Sequence, residues 1–168
     1  PVLRDAGMRT YTATWHYGPD PEAMDTSWKS SEGTQIARAQ TTAEGAWTYS
    51  NMAHYVVSDE IQVLDFRGVE TNRLNGWGRG YLRDRGVTDA DLGRPLDQVE
   101  YPAKAMFEKA LPRDADLPTR KCMYYAAKFG QWWSVRQLRH TSDLVHSALP
   151  KVRTETLPSD HGFFNAWG

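Results

Sequence analysis

The chain has 168 residues, a formal net charge of −1, and 40% hydrophobic and 12% aromatic residues. That length supports one self-sufficient core, the aromatic content excludes wholesale disorder, and the balanced charge gives no global reason for a nucleic acid or a membrane surface as partner. The single cysteine, Cys122, excludes an internal disulfide and cysteine-rich metal sites, and no apolar run approaches the roughly 18 residues of a membrane span.

The pattern predicts a mainly α protein, a small irregular helical bundle with long extended N- and C-terminal arms. Its divisions fall at 1–40 (arm), 41–150 (helical domain) and 151–168 (tail). Pro1–Asp5 lacks the apolar stretch of a secretory signal. In the arm, Tyr11, Ala13, Trp15 and Tyr17 alternate with polar residues as an extended segment does. Asp20-Pro21 can open a short helix with proline at its first position. The run Thr26 to Thr34 is polar and reads as loop.

Thr41 and Glu44 have the spacing of a capping box. Tyr49, Met52, Ala53, Val56, Val57, Val63 and Leu64 then recur at three- and four-residue steps, which predicts a helix over 42–67 ending at Gly68. The competing reading is a strand over Ile61–Phe66. Residues 68–95, with Gly76-Trp77-Gly78-Arg79-Gly80 at their centre, read as a loop or short helical turns, Thr88 capping one that ends at Gly93. A further helix runs from Pro95 or Pro102 to Leu111.

The longest helix spans 119–149, between Pro118 and Pro150. Its wheel carries Cys122, Ala126, Phe129, Trp133, His140 and Leu144 in one sector, and Tyr124, Val135, Leu138, Val145 and Leu149 in the opposite one. Two apolar faces imply a helix packed on both sides. Between them runs a stripe of Lys121, Lys128, Trp132, Arg139 and His146. The tail, 151–168, has no helical period and ends in Phe163, Phe164 and Trp167.

No cluster has the spacing of a known chemistry. The glycines at 76, 78 and 80 lack the strand, helix and third-glycine spacing of a dinucleotide loop. Asp89, Asp91, Asp97 and Glu100 follow a calcium-loop spacing, but Arg94 stands where the turn demands glycine. Histidines 16, 54, 140, 146 and 161 show no metal-ligand spacing. Cys122 reads as a buried apolar filler.

The sequence therefore predicts an intracellular, non-catalytic accessory subunit of a large multiprotein assembly, without cofactor or metal. Respiratory-chain and ATP synthase complexes of mitochondria are the type of machine in question. It would bind other subunits through Trp15, Trp28, Trp132, Arg139, Phe163, Phe164 and Trp167. Lys121, Lys128 and Arg139 would reach anionic lipid headgroups. Trp47, Phe129 and Trp133 would fill the core. The alternatives are a helical ligand-binding protein or enzyme using His54 or His140 in an aromatic pocket, and an RNA-contacting subunit of a ribonucleoprotein such as a mitochondrial ribosome.

Overall fold

The computed structural model describes residues 9–13, 18–61, 66, 69–101 and 114–158. These are mainly helical, and they also contain a three-stranded parallel sheet that the hydrophobic pattern did not reveal. Contacts divide the chain into two units: unit one is Pro1–Gln62 with Val135–Gly168, and unit two is Val63–Ser134.

Unit one opens with β1 (Thr10–Ala13), followed by α1 (Pro21–Ser30), α2 (Glu32–Ala39), α3 (Ala43–Ser50) and β2 (Met52–Ile61). Asp20 caps α1 by accepting from the Glu22 amide at 3.0 Å, with Pro21 in the first turn as expected. The stretch expected to be an extended arm is therefore helical over 21–39. Its polar run needs only one apolar residue per turn to hold, and Met24, Trp28 and Ile36 supply it. The hydroxyls of Thr26, Ser30 and Ser31 bond back to carbonyls of the preceding turn, so they do not break the helix.

The helix expected over 42–67 is instead the short α3 followed by β2. Thr42, not Thr41, is the cap, accepting from the Gly45 amide at 3.0 Å. The three- and four-residue spacing was ambiguous because its centre, Tyr55-Val56-Val57, is a short apolar run that suits helix and strand alike. Tyr55, Val56 and Val57 are all buried, as in a parallel strand covered on both faces. β2 is central. It pairs in parallel with β1 and with β3 (Arg153–Pro158), which closes unit one. Residues 153–158 of the expected tail are thus a sheet strand. The core on one face of β2 joins Tyr55 and Val57 to Trp28 of α1, Ile36 of α2, and Val145, Leu149 and Val152. Helices from both strand-to-strand connections therefore pack on the same face.

Unit two contains α4 (Thr71–Asp84), α5 (Asp89–Leu92) and a 3-10 turn at Leu96–Gln98. α4 occupies the expected glycine loop. Glu70 caps it through the Asn72 and Arg73 amides. Leu74, Gly78, Tyr81 and Leu82 form its buried face. Gly78 faces the Tyr101 ring, which an added Cβ would meet at 3.6 Å, an ordinary van der Waals contact. Thr88 caps α5 as expected, in a capping box completed by Asp91, and Gly93 ends it at φ 73°. The helix expected up to Leu111 lies mostly outside the described residues.

The last helix, α6 (Leu117–Ala148), is capped by Asp116, which accepts from the Thr119 amide at 2.8 Å. Residues 117–134 of α6 belong to unit two and 135–148 to unit one. It does not bury two faces along its length. Its buried row is Phe129, Trp133, Gln137, Thr141 and Val145, continued by Leu149 just past its end. Each four-residue step turns the row by about 40°, so a wheel of the whole helix displays one drifting row as two apolar sectors. Tyr124 and Val135, expected to be inward, are 59% and 67% exposed.

Phe129 is the centre of unit two, 1% exposed. Ring centroids of Tyr101, Trp133, Tyr81 and Phe66 lie 4.9–5.8 Å away. Trp77 stacks on Trp133 at 4.6 Å, and the Arg73 guanidinium covers Trp77 at 5.0 Å. Trp77, which the sequence left without a role in its glycine run, is the outer layer of this stack.

An added Cβ at Gly76 or Gly80 meets nothing within 4 Å, so Gly76→Ala and Gly80→Ala should each stabilise by about 0.5–1 kcal/mol in urea melts. At Gly33 a Cβ would fall 2.5 Å from Trp28 Nε1, and Gly33→Ala should destabilise in the same assay. Hydrogen bonds from Thr88 hold the Asp91 carboxyl below the usual range, and those from Thr119 do the same for Asp116. A depressed folded value stabilises above the unfolded carboxylate range and is lost as pH falls through the folded value. Acid unfolding of Asp116→Ala should therefore show a weaker dependence on pH below about 4 than the parent.

Candidate functional site

In a parallel sheet all carboxyl ends lie along one edge. β1 ends at Ala13, in register with Val56, while β2 and β3 end together at Ile61 and Pro158. The last residues of β2 read Ser58-Asp59-Glu60-Ile61. The β2–β3 register shifts twice there, between Val56 and Ser58 and between Ser58 and Ile61. Such irregularities concentrate at functional edges. Two adjacent carboxylate residues thus occupy the carboxyl end of the central strand, where the ladder is least regular.

The rest of unit one is held by polar ties. His54 Nδ1 lies 2.6 Å from Glu155 Oε1. A carboxylate only accepts, so Nδ1 carries the proton of this bond and Nε2 is left out of it. His140 Nε2 donates to Asp25 at 2.7 Å, tying α6 to α1. Gln137, buried, donates to the Pro19 carbonyl at 2.9 Å. Thr154 and Ser142 share a hydrogen bond of 2.7 Å between β3 and α6. The Tyr55 hydroxyl is buried and has no hydrogen-bond partner among the described residues.

Unit two contains a cavity of about 20 Å³ lined by Asn75, Arg79, Tyr101, Cys122, Tyr125 and Phe129 among others. That is room for one or two waters, and no histidine lines it. Arg79 Nε donates to the Val99 carbonyl at its rim, and the Tyr101 amide donates to Asn75 at 2.6 Å. Burial pushes the Tyr101 hydroxyl well above its ordinary value. Burial also raises the Cys122 thiol, against the smaller opposite pull of Arg94. Cys122 is half-buried at this wall rather than fully enclosed in the core.

The residues expected to meet a partner are not brought together. Trp28 is buried in the core of unit one, because Gly33 lets its ring lie against α2; it has no surface to offer. Trp132 is half-buried in the aromatic cluster, its ring 5.1 Å from Tyr81 and 5.7 Å from Trp133. Arg139 is exposed. Trp15, Phe163, Phe164 and Trp167 lie outside the described residues. Lys121 reaches the Ala90 carbonyl, and Lys128 lies over the Tyr124 ring. Phe129 and Trp133 are core residues as expected, whereas Trp47 is only half-buried. Asp89 and Asp91 are caps, Asp89 accepting from the Leu96 amide at 2.9 Å. Among the described residues no three His, Cys, Asp or Glu side chains gather as a metal site requires. No described helix is long and apolar enough to cross a membrane.

Asp59 and Glu60 were passed over in the sequence because they fell inside an expected helix. The signal that finds them is Tyr55-Val56-Val57 followed at once by polar residues, the profile of a buried parallel strand reaching its carboxyl end. Comparison of the chain with protein-family models, with curated proteins and with solved structures gives no match. The raised Cys122 thiol should react slowly: alkylation by iodoacetamide at pH 7 is expected to be slower than that of a free cysteine peptide, and to reach the peptide rate on unfolding in urea.

Proposed function

We propose that the protein binds, and acts by acid–base chemistry on, a neutral hydroxyl-bearing small molecule at the carboxyl ends of β1, β2 and β3. One observation carries this reading: the strands are parallel and in sequential order, and Asp59 and Glu60 sit in the irregular end of the central one. Helices of both connections pack on one face of β2. That is the winding of βα barrels, and in both barrels and open parallel sheets ligands sit outside the carboxyl ends of the strands. The step from winding to site is an analogy of fold. The residue chemistry supports it independently. Carboxylates accept from hydroxyls and exchange protons with them. In sequence, Trp15-His16 follows β1 and Asp160-His161 follows β3, four residues outside the described ones.

The test is a thermal-shift screen of the chain against sugars and polyols, followed by Asp59→Asn and Glu60→Gln. A ligand should raise the melting temperature of the parent, and each substitution should weaken its binding at least tenfold, a loss of about 1.4 kcal/mol, without lowering the melting temperature of the free protein. Undiminished binding by the double variant removes the reading.

A second reading is favoured by α6, where Leu117, Tyr124 and Val135 are 64%, 59% and 67% exposed. Apolar side chains of this size in water suit an accessory subunit docking in a larger assembly. A mitochondrial complex belongs to this reading. It requires a native mass above that of the chain, lost in Leu117→Ser/Tyr124→Ser.

A further inference from the structure

The amino-terminal half of the same sheet carries a second constellation, distinct from the carboxyl ends. His54 is the third residue of β2, and its register partner on β3 is Arg153. Glu155, the partner of Val56, stands two residues further along β3. Register partners in a parallel pair project from one face, and alternate residues share it. His54, Arg153 and Glu155 therefore share a face, opposite to the one that carries Tyr55 and Val57.

Each of the three has a defined state. Glu155 holds His54 by Nδ1, which turns Nε2 away from the carboxylate. Both side chains are 39% exposed, so the pair can be reached from solvent. Arg153 is exposed and makes no ion pair among the described residues. Glu155 is thus already engaged by His54, and among the described residues no carboxylate pairs with the Arg153 guanidinium. Neighbouring strands are about 4.8 Å apart, a spacing at which two side chains can grip one small oxyanion.

We propose that His54, Arg153 and Glu155 form an oxyanion site for the phosphoryl or carboxylate group of a small ligand. The Arg153 fork takes two oxygens side by side. His54 takes a proton on Nε2, from solvent or from the ligand, and donates it in a hydrogen bond to a ligand oxygen. Glu155 positions the imidazole and stabilises its charge without touching the ligand, the role of a carboxylate behind a working histidine.

The experiment follows histidine-ring and arginine Nε signals of the ¹⁵N-labelled chain by NMR. Inorganic phosphate and acetate are titrated in separate arms at fixed pH, with chloride holding ionic strength constant. His54 and Arg153 should shift together and saturate with one dissociation constant in at least one arm, while His140 stays still. Saturation by phosphate alone assigns a phosphoryl group; saturation by acetate alone assigns a carboxylate, and by both a site for either. Arg153→Gln should weaken binding at least tenfold, and Arg153→Lys, which keeps the charge but not the fork, less. Glu155→Gln should weaken it while Arg153 still responds. Asp59→Asn/Glu60→Gln should leave it unchanged, which separates this site from the carboxyl-end one. Non-saturating shifts in both arms, or equal affinity in Arg153→Gln, overturn the proposal.

Discussion

The row of side chains along α6 is the constraint on which both cores depend. Phe129 and Trp133 anchor the aromatic cluster of unit two, and Val145 and Leu149 enter the aliphatic core of unit one. Gln137 and Thr141 lie between them, buried but satisfied, Gln137 through Pro19 and Thr141 through the Gln137 carbonyl. A buried amide without its partner would cost on the order of 1–3 kcal/mol. The polar middle of the row is thus tolerable only because the chain at Pro19 returns to meet it.

Each unit solves its packing differently. Unit two builds its core from stacked rings and covers their outer faces with guanidinium groups. Arg73 over Trp77 and Arg85 over Tyr81 let cations cover aromatic surface that would otherwise face water. Unit one uses mostly aliphatic residues around one fully buried stretch of strand. The high tryptophan content of the chain therefore has no single explanation. Trp28 is an aliphatic-core filler, Trp133 and Trp77 form a stack, and Trp132 lies half-open beside Tyr81.

Local chemistry was legible and pairing was not. Asp20-Pro21, Thr88 and Gly93 announced helix ends because capping is settled within four residues. The extent of α6 was legible to within two residues between its flanking prolines. β2 was illegible because a short apolar run satisfies helix and strand alike, and its partners lie about forty and a hundred residues away. α4 was hidden by Gly76, Gly78 and Gly80, whose poor helix propensity is overridden by the face of Leu74, Tyr81 and Leu82. Of the candidate sites, His54 was visible as a residue, but its carboxylate lies 101 positions away in sequence. Asp59 and Glu60 acquire meaning only once the strand direction is known.

That separation of 101 positions has a kinetic consequence. Closing a loop between β2 and β3 costs an entropy that grows with the logarithm of the intervening length, and pairings of such long range slow folding. The intervening chain contains all of unit two, whose helices and caps rest on nearer neighbours. If unit two orders first, the tether between the strands shortens and the closure becomes cheaper. The sheet is then the last part of the chain to form, and the slow phase of refolding should be sensitive to residues of β2 and β3 while largely indifferent to those of α5.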